Sequence, residues 1–190
     1  MIQASYSDKE LIINILTRAF DANKSVNYIV HQDAKRIKRI QHLMDYSFEM
    51  CFHYGEVFLS DNRQGCALII FPERKKASIT SVLLDFKLVV NSIGIRNLTK
   101  AMAREKAIKT LHPKEKHFYY LWYVAVDSNT QHRGTGTLLM QELINRATSL
   151  NRTIYLETST VTNIPWYEKL GFSIYNTLNF GYDLFCMRKN

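Results

Sequence analysis

The sequence predicts one domain of mixed α/β class. At 190 residues it fits a single domain with a sizeable core. Segments with helical apolar spacing alternate with short strand-like apolar runs along the chain. No internal repeat, low-complexity tract or interdomain linker interrupts this order, so we expect one domain over residues 1–190.

Composition excludes several classes of protein. Apolar residues make up 46% and charged residues 22%, as in ordinary soluble proteins. The longest apolar runs, such as Cys66 to Phe71, are too short for a membrane span, and Met1 to Ser5 lacks a secretion signature. The net charge of +8 comes from Lys and Arg that alternate with apolar positions, which favours solvated helix faces and, beyond that, attraction of a phosphorylated cofactor. We therefore expect no membrane and no nucleic-acid partner.

The cysteines indicate a reducing compartment. Cys51, Cys66 and Cys186 have no paired or metal-like spacing and lie in apolar surroundings. We expect buried free thiols, no metal site and a cytoplasmic location.

The first elements are two amphipathic helices. Ser7 or Asp8 is the expected N-cap of a helix whose apolar face extends to Phe20. After a polar link, Ala34 to His53 has the spacing of a long helix, which Gly55 ends.

A hairpin and a helical segment follow. Glu56–Ser60 and Cys66–Phe71 are the predicted strands of the hairpin, joined by a turn that contains Asp61, Asn62 and Gly65. The segment at about 78–111 returns to helical spacing. Gly94 is expected to break it into two helices, and His112-Pro113 ends the second.

The C-terminal part alternates strands and helices. We predict strands at Phe118–Val126 and Thr153–Thr158, helices at Thr137–Leu150 and about Asn163–Leu170, and last strands at Phe172–Tyr175 and Tyr182–Met187. Gly171 suits the left-handed position after the second of these helices. Strict alternation along the first strand would put Phe118, Tyr120, Trp122 and Val124 on one face and Tyr119, Leu121, Tyr123 and Ala125 on the other.

The most informative motif joins this aromatic strand to the next helix. It reads Gln131-His132-Arg133-Gly134-Thr135-Gly136. Glycines that open a helix expose backbone N–H groups at its positive end, where phosphates bind. A nucleoside-triphosphate loop would need Lys followed by Ser or Thr directly after the second glycine. Thr137-Leu138 stands at these two positions instead. A dinucleotide loop would need a third glycine where Leu139 stands and a shorter gap after Val126.

The same six residues resemble the Q/R-x-x-G-x-G/A loop of the GNAT acetyltransferases. A second block, Tyr155-Leu156-Glu157-Thr158-Ser159 followed by Asn163-Ile164-Pro165-Trp166-Tyr167-Glu168-Lys169-Leu170-Gly171-Phe172, is similar to the branch that contains puromycin N-acetyltransferase. The resemblance covers about residues 118–187. Residues 1–117 show only a compatible order of helices and strands.

This resemblance implies a fold and a cofactor. The fold would have a central mixed, mostly antiparallel sheet, splayed at the cofactor site and flanked by helices. Acetyl-CoA would bind to the part from 118 to 187, and residues 1–117 would supply acceptor-side helices. The implied cofactor contacts are Val124, Ala125 and Val126 along the pantetheine arm, Gln131, His132, Arg133, Gly134, Thr135, Gly136 and Thr137 around the pyrophosphate, and Asn163.

Two side chains are implied in the chemistry. Tyr167 would be the general acid for the departing thiolate, although a core aromatic is the alternative for that position. Glu157 would take the amine's proton or bind a cationic acceptor, unless it only pairs with a nearby Lys or Arg. Asn163 could equally be a helix cap. His117 and His132 are weaker candidates, and Phe20 and Tyr28 fall where acceptor-binding loops are expected.

The predicted function is acetyl-CoA-dependent N-acetyl transfer to a primary amine of a small molecule. Transfer would be direct, in a ternary complex, with no covalent enzyme intermediate. A non-catalytic acyl-CoA-binding module of the same fold is the alternative, and a homodimer is possible. A nucleic-acid-binding domain would interleave aromatics with Lys and Arg, whereas the densest aromatic run here is almost uncharged.

Overall fold

A computed structural model describes residues 1–75, 78–114, 117–130 and 133–190. The helices are α1 Lys9–Ala19, α2 Lys24–Ile29, α3 Arg36–Tyr54, α4 Ile79–Leu88, α5 Ile95–Leu111, α6 Thr135–Ser149 and α7 Ile164–Lys169. The strands are β1 Ile2–Gln3, β2 Gly55–Leu59, β3 Gly65–Ile70, β4 Tyr119–Val126, β5 Ile154–Thr158, β6 Ser173–Asn179 and β7 Asp183–Lys189. They form one seven-stranded sheet in the order β1-β2-β3-β4-β5-β7-β6.

The sheet is mostly antiparallel, as expected. β4 and β5 are the parallel pair, and they pair only at Tyr119 with Ile154 and at Tyr120 with Tyr155. Beyond Tyr120, β4 keeps its other neighbour, β3, as far as Val126. The two strands therefore diverge after two residue pairs, which confirms the predicted splay of the sheet.

Two short elements, β1 and α2, were not predicted from the sequence. β1 has two residues and pairs with the end of β2. α2 lies in what was expected to be a polar link, and the Asn23 side chain caps it by accepting from the Val26 N–H at 3.1 Å. Elements of two and six residues are too short to show a period, so apolar spacing could not reveal them.

The first helix begins after Asp8, one of the two predicted N-caps, and a short turn precedes it. A 3-10 turn, Tyr6–Asp8, precedes α1, and Ser5 caps that turn. The Ser5 backbone N–H and hydroxyl donate to the Asp8 carboxylate at 2.8 and 2.7 Å. Asp8 thus occupies the N-cap position of α1, as one prediction had it, while the capping box belongs to Ser5 and the turn before the helix.

Two glycines end helices where the sequence predicts. Gly55 ends α3 and begins β2, and a Cβ on it would lie 1.9 Å from the carbonyl oxygen of Ile69. Gly94, at φ +72°, separates a π-helical turn, Val89–Ile93, from α5. Both positions need glycine, the first for close approach of two strands and the second for its backbone conformation.

The helical spacing predicted for this segment is confirmed by α4, but much of the apolar face of α4 lies in solvent. The exposed fractions are 83% for Ile79, 63% for Val82, 54% for Leu83 and 66% for Phe86. The helix packs against α3. Its period was predicted correctly, but a period alone does not identify a helix's neighbours.

A bulge in β4 overturns the predicted alternation of that strand. The register shifts between Leu68 and Ile69 of β3, which pair with Tyr123 and Leu121, so Trp122 is the extra residue. Tyr119, Leu121 and Val124 pack on the face covered by α6 and α7, whereas Tyr120, Trp122, Tyr123 and Ala125 pack on the face covered by α1 and α3. One extra residue reverses which side every later side chain faces.

The C-terminal elements follow the predicted order. Gly171 has φ +87° and its N–H donates to the Glu168 carbonyl, which confirms the left-handed end of α7. β6 and β7 each extend beyond the predicted strands. In the described part of the chain, no helix combines the length and apolarity that crossing a membrane requires.

All three cysteines are buried free thiols that form no disulfide, as predicted. Burial raises the pKa of the Cys186 thiol to about 12, and it raises the pKa values of Cys51 and Cys66 well above the usual range. Since the thiolate is the reactive form, we expect the folded protein to consume no aromatic disulfide reagent over minutes and about three equivalents once denatured. Fast titration of one native thiol would contradict this burial.

Candidate active site

The gap between β4 and β5 opens into a cavity of about 760 Å³. Leu121–Val124 of β4 and Leu156–Thr160 at the end of β5 line one side, and residues of α5 line another. Phe20, at the end of α1, also contributes, with its ring edge-on to Tyr123 at 5.1 Å. The cavity thus joins the splayed strands to the helices of the N-terminal part.

β4 presents an unpaired backbone edge to this gap. Ala125 and Val126 pair with Cys66 and Gly65 of β3 on one side, and on the other side no strand of the described chain pairs with them. Val124 lines the cavity, whereas Ala125 is buried in the core on the opposite face of the sheet. The backbone of Val124–Val126 is therefore available to an extended ligand.

The glycine motif forms the start of α6. Gly134 is left-handed, with φ +81°, and its carbonyl accepts the first helical hydrogen bond, from Leu138 at 3.0 Å. The N–H groups of Thr135, Gly136 and Thr137 have no acceptor among the described residues. These three donors are available to an anion at the positive end of the helix dipole.

The side chains of the motif differ in their exposure and in their contacts. Arg133 and Gly134 are exposed, whereas Gln131 and His132 lie outside the described residues. A Cβ on Gly136 would lie 3.3 Å from the Val126 side chain, so a glycine lets α6 approach β4 closely. The side chains of Thr135 and Thr137 are used structurally: Thr135 accepts from Asn62 and Thr137 accepts from Trp166, each at 3.1 Å.

Tyr167 reaches the cavity from α7. Its side chain is 5% exposed, and its ring packs against Trp166 and Phe172. The hydroxyl makes no hydrogen bond with any described residue, although Tyr167 lines the cavity. Burial raises its pKa above that of an ordinary phenol, so at neutral pH the hydroxyl keeps its proton.

Asn163 lines the cavity as well, but it does not cap α7 as one prediction had it. Its backbone occupies the N-cap position, while its side chain makes no capping hydrogen bond. The preceding 3-10 turn, Val161–Asn163, leads the chain directly into α7, which leaves the amide exposed.

Glu157 lies on the cavity wall inside a hydrogen-bonded cluster. The Tyr120 hydroxyl donates to one carboxylate oxygen at 2.5 Å, and His112 Nε2 lies 3.2 Å from the other. The Glu157 side chain is 6% exposed. Burial and then the Glu157 charge hold the pKa of Tyr120 well above its usual value. In the described chain no Lys or Arg pairs with Glu157 within 4 Å, so the alternative interpretation, a strand-end ion pair with Lys or Arg, is not supported. Its partners are a histidine and a phenol.

Sequence reasoning missed two side chains, Arg104 on the cavity wall and His112 behind it against Glu157. His112 was seen only as a helix end, whereas its ring lies between Tyr120 and Phe118 at 4.8 and 4.9 Å. Arg104 was one of many basic residues between 100 and 116, yet it lines the cavity and donates to Ser25 Oγ at 2.6 Å. Nothing in the sequence marks either residue, because its partners come from distant segments.

Two weaker candidates lie elsewhere. Tyr28 packs on Phe180 and Tyr182 at the turn between β6 and β7, outside the cavity lining. His117 is exposed before β4.

Comparisons with known proteins agree with this fold. Residues 96–174 match the family model described as an acetyltransferase (GNAT) domain. A Corynebacterium glutamicum structure described as histone acetyltransferase HPA2 and related acetyltransferase is 21% identical, with a TM-score of 0.70 over 99% of this chain and 93% of its own. The C-terminal condensation domain of Ebony, in complex with beta-alanyl-dopamine, is 10% identical, with a TM-score of 0.70 over 99% and 96%. A mosquito arylalkylamine N-acetyltransferase like 5b is 14% identical, with a TM-score of 0.56 over 99% and 97%.

Proposed function

We propose that this chain, which has the fold of the GNAT acetyltransferases, transfers an acetyl group directly from acetyl-CoA to a primary amine of a small molecule. The observation that carries the proposal is the shared cavity. An unbonded phenol, Tyr167, a buried carboxylate, Glu157, and the open backbone edge of β4 all border one space.

The cofactor would bind along features that belong to the backbone. The N–H groups of Thr135, Gly136 and Thr137, with Arg133 nearby, would hold the pyrophosphate. The free edge of Val124–Val126 would pair with the pantetheine arm as a further strand does, and Asn163 would contact it from the opposite side. When bound, acetyl-CoA supplies the acetyl group as a thioester.

The chain's own groups would then handle charge and protons. A backbone N–H near Val124 would donate to the acetyl carbonyl oxygen, an effect typically worth about 3 kcal/mol. Tyr167 would give its proton to the departing sulfur, for which it is suited because no described residue competes for the hydroxyl. Glu157 would receive the amine's proton, with Tyr120 and His112 stabilising the carboxylate.

Binding of the cofactor is the first test. At 100 times Kd, a ligand that binds only the folded state stabilises it by about 2.7 kcal/mol, which raises the Tm of a domain of this size by roughly 5–10 °C. We expect that shift with acetyl-CoA in differential scanning fluorimetry and a much smaller one with an acetyl thioester that lacks the nucleotide. No shift at saturating acetyl-CoA would refute the cofactor assignment.

Turnover is the second test. A panel of diverse primary amines is incubated with the protein and acetyl-CoA, and free thiol is measured. The protein's own thiols should not interfere, since all three are buried. Thiol release with some amines supports the transferase. A full thermal shift with no release for any amine would instead support a non-catalytic acyl-CoA-binding module.

A further inference from the structure

Arg104 extends from α5 into the wall of the cavity. Its Nη2 donates to Ser25 Oγ at 2.6 Å and its Nε lies 3.3 Å from the Tyr182 hydroxyl. Both partners are neutral hydroxyl groups, one on α2 and one just before β7. The guanidinium is therefore fixed in position from two sides without being neutralised by a direct ion pair.

The carboxylates around the cavity are already occupied. Each of the three acidic residues of the lining has its own partner: Asp85 accepts from Tyr46, Glu105 pairs with Lys109, and Glu157 holds Tyr120 and His112. No carboxylate in the described chain lies within 4.0 Å of Arg104. The positive charge of Arg104 therefore has no carboxylate in direct contact, and the Glu157 charge acts on it from beyond ion-pair distance.

An arginine in this arrangement is suited to an anion. A guanidinium has five N–H donors, and Arg104 uses two of them on Ser25 and Tyr182. The other donors belong to a planar group that matches the two oxygens of a carboxylate. One guanidinium balances one negative charge, whereas a phosphomonoester carries roughly 1.5–2 at neutral pH.

We propose that the acceptor is an amine that also carries a carboxylate, and that Arg104 binds this carboxylate. Ser25 and Tyr182 position the guanidinium. The carboxylate end of the acceptor would then lie against α5, and its amino group would extend towards Glu157 and Tyr167, which border the same cavity. This inference rests on the proposed function, because it specifies the acceptor of that reaction.

The test uses matched pairs of amines. L-amino acids, β-alanine and γ-aminobutyrate are each compared with the corresponding carboxamide, and O-phosphoethanolamine is included as a phosphomonoester. The readout is kcat/KM from thiol release. We expect the best acceptor to be a carboxylate, preferred over its own amide by about 100-fold. In Arg104→Met that preference should fall to within a few-fold of unity, with Arg104→Lys in between.

Two controls separate this test from loss of folding or of the cofactor. The ratio of carboxylate to amide is measured on one protein sample, so the active fraction cancels. Arg96→Met makes the same change on an exposed arginine of the same helix and should leave the ratio unaltered. The thermal shift with acetyl-CoA should survive in both variants.

The inference is overturned if the best acceptors are amines without a carboxylate, if the phosphomonoester is preferred, or if Arg104→Met keeps the full preference. In each case acetyl transfer itself still occurs, so the proposed function stands. If no amine in any panel releases thiol, the proposed function fails and this inference fails with it.

Discussion

Replacement of Tyr167 by phenylalanine is expected to lower kcat by about 100-fold or more while acetyl-CoA binding is retained. The variant removes one oxygen atom, and that oxygen makes no hydrogen bond with any residue that the structure describes. The ring, which packs on Trp166 and Phe172, is kept. Loss of the hydroxyl should therefore change Tm by less than the loss of a buried hydrogen bond would.

The measurement combines kcat from thiol release with the Tm and its shift on acetyl-CoA. Tyr6→Phe is the matched control, because it removes the same atom from a tyrosine that lies outside the cavity lining and bonds to Glu49. A Tyr167→Phe protein with unchanged kcat would eliminate this residue as the acid. A large fall in Tm would show that the hydroxyl is structural.

Replacement of Glu157 by glutamine should also cost about 100-fold in kcat/KM at neutral pH. Glutamine keeps the size of the side chain but cannot take a proton from the amine. The variant would then depend on amine already deprotonated in solution. That fraction rises tenfold per pH unit below the pKa of an alkyl amine, about 10.4 for lysine. We therefore expect the variant to recover with rising pH and the native protein to be less dependent on it.

Glu168→Gln provides the comparison for this series, since Glu168 is an exposed carboxylate on α7 outside the cavity lining. Parallel pH profiles for the native protein and Glu157→Gln, offset by a constant factor, would argue against a proton acceptor. They would favour a role for Glu157 in binding the acceptor or in holding Tyr120 and His112.

Local rules predicted most of the elements and the candidate cofactor loop. Gly55, Gly94 and Gly171 each end a helix where the sequence says they should, because close approach or a left-handed backbone is a local requirement. The glycine motif before α6 and the position of Tyr167 on a short helix were likewise readable from spacing and resemblance.

The sequence could not reveal features that depend on contacts between distant segments. The amino-acid sequence of β4 does not mark the bulge at Trp122. The bulge nevertheless reverses the faces on which Tyr123 and Ala125 lie. The contact between Arg104 and Ser25 joins residues 79 positions apart. His112 and Glu157 are 45 apart and meet only when α5 ends beside β5. Charge and spacing within one segment say nothing about such pairs.

The two-residue pairing of β4 with β5 also has a mechanical consequence. Strands β1–β4 and strands β5–β7 form two parts of the sheet. These parts are joined only where Tyr119 and Tyr120 of β4 pair with Ile154 and Tyr155 of β5. A ligand bound between the diverging strands β4 and β5 would contact both parts of the sheet. It would therefore raise the free energy needed to separate them. Proteases cleave chains that open locally in this way. The lifetime of the protein in a cell would therefore depend on the concentration of the ligand that binds between β4 and β5.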